Sequence, residues 1–211
     1  LKTDVFRWIN VADLRTSYQT YVTAKRAAAA RPNLVMVGSN NGFMHAFDTA
    51  TGDEVFAYLP ASARRQLGDV ALPTFTHRYL MDGDLTAVDA QLGGTWGTVL
   101  VGSTGRGGRS VFALDITNPQ SFSGSSVLWE LEGGSATGQN PDLGHVIGRS
   151  QVMYGEDGKW YAVFGNGVNS VNSNPVLMIV DLDTGVPISL TANDGGNLTN
   201  GLINVAMVDA D

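Results

Sequence analysis

The sequence predicts an all-β fold of the β-propeller class, and three observations lead to that prediction. The 211-residue chain contains 26 glycines, a frequency typical of tight turns between short strands. An apolar run that enters a Gly-polar turn occurs three times, with Gly38, Gly102 and Gly165 spaced 64 and 63 residues apart. Each run is followed by an alternating strand that ends in aspartate. Short antiparallel strands in this repeated order indicate propeller blades enlarged by loops.

The N-terminal segment, residues 1–33, is predicted to contain one amphipathic helix. Tyr18, Tyr21, Val22 and Lys25 fall at helical spacing within residues 17–32, an alanine run follows them, and Pro32 is a stop signal. We expect a helix of about three turns that packs on the propeller.

Residues 34–211 are predicted to form an incomplete propeller of about three blades plus the first strand of a fourth. The blades occupy approximately 34–72, 78–133 and 145–192, and the next blade begins within 201–211. The predicted strands are 33–41, 43–48 and 54–59 in the first blade, 85–92, 97–105, 110–115 and 126–131 in the second, and 148–155, 160–168, 177–181 and 186–190 in the third. Because a propeller closes with about four blades or more, we expect the remaining blades to lie outside this chain.

Composition excludes several classes of partner and site. The net charge of −7 argues against nucleic acid or an anionic membrane surface as a partner. No apolar run of about 18 residues is present, so we expect no membrane insertion. The chain has no cysteine, which excludes disulfides and thiolate metal sites. It opens at Leu1 without a signal-peptide pattern, and we expect it to be a piece of a longer protein.

The aspartates that close the repeated strands are the most regular carboxylates in the chain. Asp48, Asp115 and Asp181 are separated by 67 and 66 residues. An aspartate at the end of a strand can accept hydrogen bonds from the backbone N–H groups of the following turn. We therefore predict a structural role in the blade turns. A catalytic pair would need two of them to converge, whereas the repeat places them on separate blades.

Other polar residues favour structural interpretations as well. His45, His77 and His145 share no metal-ligand spacing, and we expect His45, which alternates with Phe43 and Phe47, to be hydrogen-bonded between blades. No nucleophile-elbow motif is present.

Two polar turns also have a functional alternative. In "GSTGRGGRS", residues 102–110, Arg106 and Arg109 could hold a carboxylate or sulfate, although a flexible blade tip is favoured. The turn containing Asp82, Asp84 and Asp89 lacks the spacing of an EF-hand and is interpreted as solvated.

The segment "AFDTATGDEVF" resembles the blade motif of the quinoprotein superfamily, Ala-x-Asp-x-x-Thr-Gly-x-x-x-Trp. Ala46, Asp48, Thr51 and Gly52 match the motif, and Phe56 stands where Trp is usual. Six longer blocks resemble, in order, the C-terminal propeller of the PilY family of type IV pilus tip-associated assembly factors and adhesins. They are "RPNLVMVGSNNGFMHAFDTATGDEVFAYLP", "HRYLMDGDLTAVDA", "TWGTVLVGSTGRGGRSVFALDIT", "LGHVIGRSQV", "GKWYAVFGNGVNSVNSNPVLMIVDLDTG" and "GLINVAMVDAD".

This resemblance implies a secreted, cell-surface protein that acts with minor pilins at the pilus tip in pilus extension, adhesion and twitching motility. It also implies calcium. In the family, the strand corresponding to "INVAMVDAD" leads into a loop of the form Asp-x-Asp-x-Asp/Asn. Asp209 and Asp211 match its first two ligand positions, and the third would lie two residues after Asp211. Calcium requires six to eight oxygen ligands, so these two carboxylates are only part of a site.

Two other functions remain as alternatives. A quinone-dependent dehydrogenase uses the same blade motif, but its commonest class places a vicinal disulfide over the cofactor, and this chain has no cysteine. A periplasmic scaffold propeller of the outer-membrane assembly type shares the Asp-x-x-Thr-Gly turns but lacks the "HRYLMDGD" and "FGNGVNSVNSNP" blocks. We favour a non-enzymatic pilus-tip module that contacts minor pilins and a host or surface ligand.

Overall fold

The computed structural model describes residues 12–28, 31–192 and 201–207. Within these residues, eleven strands form three antiparallel sheets, and two α-helices accompany them. The predicted propeller-type, strand-dominated fold is confirmed.

Helix α1, Ala12–Ala27, begins five residues earlier than predicted and ends inside the alanine run. The helical face that meets the propeller starts at Leu14, which continues the spacing of Tyr18 and Tyr21, and all three side chains pack against the buried core. The chain after the helix is held by Arg31, which donates to the carbonyls of Ile116 and Thr117. The helix therefore ends at Ala27, the first alanine of the run.

The first sheet has three strands, β1 (Leu34–Gly38), β2 (Met44–Asp48) and β3 (Glu54–Tyr58), in the order β1-β2-β3. A second helix, α2 (Ala61–Val70), follows β3 and was not predicted. Its sequence, ASARRQLGDV, places Ala63, Leu67 and Val70 on one helical face, and Ala63 is its one fully buried residue. Because the helix is only ten residues long, tertiary packing of this face contributes most of its stability.

The second sheet comprises β4 (Leu85–Leu92), β5 (Thr95–Ser103), β6 (Ser110–Asp115) and β7 (Val127–Glu132) in sequential order. The bounds of β4 and β6 coincide with the predicted ones. Short 3-10 turns occupy Gly105–Gly107, Pro119–Ser121 and Gly124–Ser126.

The third sheet comprises β8 (Gln151–Tyr154), β9 (Trp160–Gly165), β10 (Val176–Asp181) and β11 (Pro187–Thr191). Residues 201–207, the described part of the predicted first strand of a fourth blade, have no partner strand in the described part of the chain, and that strand stays a prediction. They run beside the third sheet instead, where Gly167 donates its N–H to the carbonyl of Leu202 and Gln151 donates to that of Val205.

The second sheet is buried on both faces because it lies between the other two. Met44, Ala46 and Phe56 of the first sheet meet Phe112 and Leu114 of the second in one core. The opposite face of the second sheet packs on the third in a larger core, which contains Trp96, Val99, Val101, Val111, Trp129, Trp160, Phe164, Met178 and Val180. Face-to-face packing of consecutive antiparallel sheets is the arrangement of propeller blades.

Because neighbouring strands run in opposite directions, the turns that join them lie at the two opposite ends of the strands, which we call the hairpin edge and the loop edge. The hairpin edge contains the turns 49–53, 93–94, 116–126, 155–159 and 182–186. The loop edge contains the loops 39–43, 104–109 and 166–175 and the connections between sheets. Hydrogen bonds link adjacent loops of the loop edge, such as those from Asp82 N–H to the Thr104 carbonyl and from Gly144 N–H to the Asn166 carbonyl.

Candidate functional site

The repeated aspartates all lie at the hairpin edge, where each accepts hydrogen bonds from the turn that follows it. Asp48 Oδ1 accepts from the N–H of Ala50 at 2.8 Å, and Asp115 Oδ1 accepts from that of Thr117 at 2.9 Å. Asp181 Oδ1 accepts from two consecutive N–H groups, those of residues 183 and 184, at 3.0 Å each. The three carboxylates close strands β2, β6 and β10 of three different sheets, so the structure does not bring them together.

The third-blade turn also joins neighbouring blades. Gly185 has a positive φ of 70°, and a Cβ on it would lie 2.7 Å from Cβ of Trp129 in the second sheet. Trp129 donates its Nε1–H to the carbonyl of Leu182 at 3.2 Å. Glycine is therefore required here both by the backbone conformation and by the contact with the indole.

Asp181 is anchored as a carboxylate. Burial acts to raise its pKa, but the hydrogen bond from Lys159 Nζ at 3.1 Å and the N–H groups of the turn outweigh burial and hold the pKa below its ordinary value. The group therefore stays ionised and serves as an acceptor for the turn.

Asp89 has a role that the sequence did not reveal. The expectation of a solvated turn is wrong for this residue, since its side chain is 2% exposed and forms an ion pair with Lys25 of α1 at 2.5 Å. It also accepts hydrogen bonds from Tyr18 at 3.1 Å and from Thr98 at 2.8 Å. Asp82, by contrast, is exposed as expected. The pair of Lys25 and Asp89 fixes α1 to strands β4 and β5.

The electrostatics of this helix-docking cluster follow from its burial. Burial lowers the pKa of Lys25, although Asp89 acts in the opposite direction. Burial, followed by the charge of Asp89, raises the pKa of Tyr18. Aromatic contacts complete the cluster, because the Tyr18 ring lies 4.9 Å from that of Trp96. These groups hold the helix in place, and they occupy the carboxylate of Asp89, whose side chain is buried.

The three histidines lie apart in the fold. His45 is on the outer face of the first sheet, between the rings of Phe43 and Phe47, and no described sheet covers that face. Its Nδ1 donates to Glu54 at 2.5 Å. It is hydrogen-bonded as expected, and its position between two blades stays a prediction, since the described sheets cover only the opposite face of the first sheet. His77 and His145 lie on separate connections of the loop edge.

The carboxylates expected to begin a calcium loop, Asp209 and Asp211, lie outside the described residues. Residues 201–207 lead toward them along the third sheet, held by the hydrogen bond that Leu202 N–H donates to Asn166 Oδ1 at 3.0 Å. Across residues 12–28, 31–192 and 201–207, no group of three or more His, Asp or Glu side chains could hold a metal ion.

The loop edge carries an open pocket between the second and third sheets. It has a volume of about 230 Å³ and is lined by Arg106, His145, Ile147, Val168 and Asn169. The loop of Arg106 differs from the predicted flexible tip, because Gly105 and Gly107 on either side are buried.

Neither of the two helices in the described part of the chain has the length and apolar composition that a membrane-spanning segment needs.

Comparisons with known proteins agree on one family. The model of the PilY1 β-propeller domain matches residues 7–211. A PilY1 homologue from Xylella fastidiosa, named a type IV pilus biogenesis factor, is 42% identical over 207 residues, which is 93% of this chain and 14% of the homologue. The type IV pilus biogenesis factor PilY1 of Pseudomonas aeruginosa PAO1 is 36% identical over 199 residues, which is 92% of this chain and 16% of that protein.

A solved structure shows the same relationship in three dimensions. The crystal structure of the P. aeruginosa PilY1 C-terminal domain superposes with a TM-score of 0.73 at 34% identity, covering 90% of this chain and 36% of the solved chain. The chain therefore spans about a third of that domain and a small fraction of the two full-length relatives.

Proposed function

The chain belongs to the PilY1 β-propeller family, and we propose from that premise that it is a non-enzymatic interaction module in the propeller of a type IV pilus biogenesis factor. The observation that carries this proposal is the family match across residues 7–211, together with relatives that are named as pilus biogenesis factors. The three stacked sheets support it, since they form an arc of the propeller that the family shares.

The positions of the carboxylates support a role in binding instead of catalysis. Asp48, Asp115 and Asp181 are engaged by the turns of three separate sheets, and Asp89 is engaged by α1. General acid–base chemistry would use carboxylates that face one reacting group. The regular carboxylates of this chain instead stabilise the scaffold on which the loops are displayed.

In the intact protein, the module acts at the cell surface with minor pilins at the pilus tip. It supports pilus extension, attachment to a host or surface ligand, and twitching motility. Calcium modulates this activity through a loop that begins with Asp209 and Asp211 and is completed by further oxygen ligands. These roles follow from the family resemblance, and each is open to a direct test.

The pilus function is tested by deleting the gene and restoring it in two forms. Deletion should abolish surface pili and twitching, and the intact gene should restore both. A gene that lacks only the codons for residues 34–192 should fail to restore them while its product is still detected by immunoblot. Normal piliation and motility in the deletion strain would contradict the proposal.

Calcium binding is tested by calorimetry on a protein that continues about fifteen residues beyond Asp211, a length that covers a typical calcium loop of about 12 residues. Saturable binding is expected, and it should be lost in the Asp209→Ala, Asp211→Ala double variant. Asp82→Ala, which removes an exposed carboxylate from a different turn, serves as the matched control and should bind as the parent does. An absence of binding in the folded protein would remove calcium from the proposal.

A further inference from the structure

The pocket of the loop edge has one charged wall, formed by Arg106. This residue is exposed, and its guanidinium lies 6.0 Å from the centre of the Tyr79 ring. No carboxylate in the described part of the chain forms an ion pair with it. An unpaired arginine over an aromatic face is notable in a chain whose net charge is −7. Such a guanidinium is available for an external anion and presents a planar pair of donors to it.

The backbone holds Arg106 in position before any ligand arrives. Gly105 has a φ of 56°, and a Cβ on Gly107 would lie 2.2 Å from the carbonyl oxygen of Leu80. Gln66 of α2 donates to the Gly107 carbonyl at 2.7 Å. The loop is therefore packed tightly on both sides of the arginine. Ligand binding would order only the side chain, which lowers the entropy cost of binding.

The opposite wall combines polar and apolar groups. His145 donates its Nδ1–H to the Gly105 carbonyl at 3.1 Å, which connects the two walls. Its backbone pairs with Val168 through hydrogen bonds of 2.7 and 3.1 Å. Asn169 next to it has a φ of 60°, a conformation that non-glycine residues seldom adopt and that clusters at binding sites. Ile147, which is 37% exposed, adds an apolar surface.

We propose that this pocket binds a carboxylate that is attached to an apolar group, as found in the C-terminal residue of a polypeptide or in a free branched-chain acid. Arg106 receives the carboxylate through two N–H donors, and the apolar group packs on Ile147 and Val168. The volume of about 230 Å³ accommodates one residue and not an extended segment. The proposal concerns the chemistry of this pocket alone and does not depend on the pilus function.

Fluorescence polarisation on the full-length protein that contains this chain provides the test. The probe is a labelled hexapeptide that ends in leucine with a free carboxylate, and its C-terminal amide is the matched control. We expect saturable binding of the free acid and binding of the amide that is weaker by about tenfold or more, because a hydrogen-bonded charge pair is lost. Unlabelled 4-methylpentanoate distinguishes the two sources. Full competition would assign the pocket to small acids, and no competition would assign it to chain termini.

Two variants locate the binding in this pocket, and one serves as a control. Arg106→Gln should weaken binding of the free acid by about tenfold or more and leave the amide unchanged. Ile147→Glu should also weaken it, because the new carboxylate repels the ligand. Arg15→Gln removes the same charge from α1, which packs at the opposite end of β5. It should bind as the parent does. Equal binding of acid and amide, no saturable binding, or no effect of Arg106→Gln in a protein with unchanged circular dichroism would overturn the proposal.

Discussion

Replacing Asp89 by alanine is expected to release α1 from the second sheet. The carboxylate is the shared acceptor for Lys25 at 2.5 Å, Tyr18 at 3.1 Å and Thr98 at 2.8 Å. The Asp89 side chain is 2% exposed and that of Lys25 is 13% exposed, so water can replace few of the hydrogen bonds that the variant loses. Lys25 would then be a buried charge without its partner.

The magnitude follows from the burial of the pair. Removing one member of a buried ion pair costs about 3–5 kcal/mol, because the remaining charge stays uncompensated. We expect about 3 kcal/mol, the lower end of that range, because Lys25 lies in the last turn of α1 and keeps some exposure. Since about 1.4 kcal/mol corresponds to a factor of ten, the amides of α1 should open and exchange roughly 100-fold faster.

Hydrogen exchange followed by mass spectrometry measures this local opening without requiring the whole protein to unfold in one step. Peptides from α1 should lose protection in Asp89→Ala, whereas peptides from β10 should not. The Trp96 indole donates to Ser17 of α1 at 3.0 Å, so its fluorescence should report the same release.

A double variant separates charge burial from lost packing. Asp89→Leu combined with Lys25→Met removes both charges and should recover about half or more of the protection lost in Asp89→Leu alone, since apolar replacement of a buried pair is often neutral. If Asp89→Ala changes α1 exchange by less than about threefold, or if Lys25→Met recovers nothing, the pair does not hold the helix as argued.

Three further predictions concern the interface between the first two sheets and the packing of the loops. Glu130→Ala removes the acceptor of both the first α2 amide and the Tyr58 hydroxyl, each at 2.9 Å, and should cost about 1–3 kcal/mol in thermal unfolding, with Glu130→Gln losing less. Gly107→Ala should destabilise the protein strongly, because the new Cβ would lie 2.2 Å from a carbonyl oxygen. Gly68→Ala, at an exposed position of α2 with no atom near the new Cβ, should instead stabilise it by about 0.5–1 kcal/mol. Equal melting temperatures of the two variants would contradict this prediction. Burial, with Glu130, raises the pKa of Tyr58 above its ordinary 10.0, so the contribution of Tyr58 to stability is complete below pH 10 and is lost as pH rises toward the folded pKa. Tyr58→Phe should therefore flatten the decline of the unfolding free energy above pH 10. An unchanged slope would count against the Tyr58–Glu130 contact.

Local features of the fold could be predicted because short-range patterns determine them. The alternation in β4 and β6 gave their bounds, and the Asp-x-x-Thr-Gly repeat indicated the blade turns. Helix α2 was not predicted because its apolar face, formed by Ala63, Leu67 and Val70, spans only two turns. In addition, the N–H of its first residue is accepted by Glu130, about 70 residues away in the chain. The start of α1 was missed because Leu14 lies four residues before the first recognised apolar position.

The important polar contacts could not be predicted for a related reason. Lys25 and Asp89 are 64 residues apart, and each resembles an ordinary surface charge in sequence. The sequence indicates Arg106 as a residue that could bind an anion, but the glycine-rich loop around it is typical of a flexible tip, which was the favoured interpretation. Its rigidity comes from packing against Leu80, and His145 reaches it from the next connection. Only the stacking of blades brings these groups together.

The distribution of exposed apolar side chains indicates where in the protein function is to be sought. Strand β6 is buried on both faces, and the outer faces of the first and third sheets carry similar side chains without cover, such as Val35 at 54% and Leu190 at 50% exposure. Strands of this composition are typical of sheets covered on both sides, so we expect neighbouring blades over these two faces in the complete ring. At the hairpin edge, the aspartates are hydrogen-bonded within their own turns, and α1 packs against the second sheet. The loop edge is then the surface of the described chain that we expect to stay open to a partner. Arg106, which lines its pocket and forms no ion pair with a described residue, is the position at which to begin.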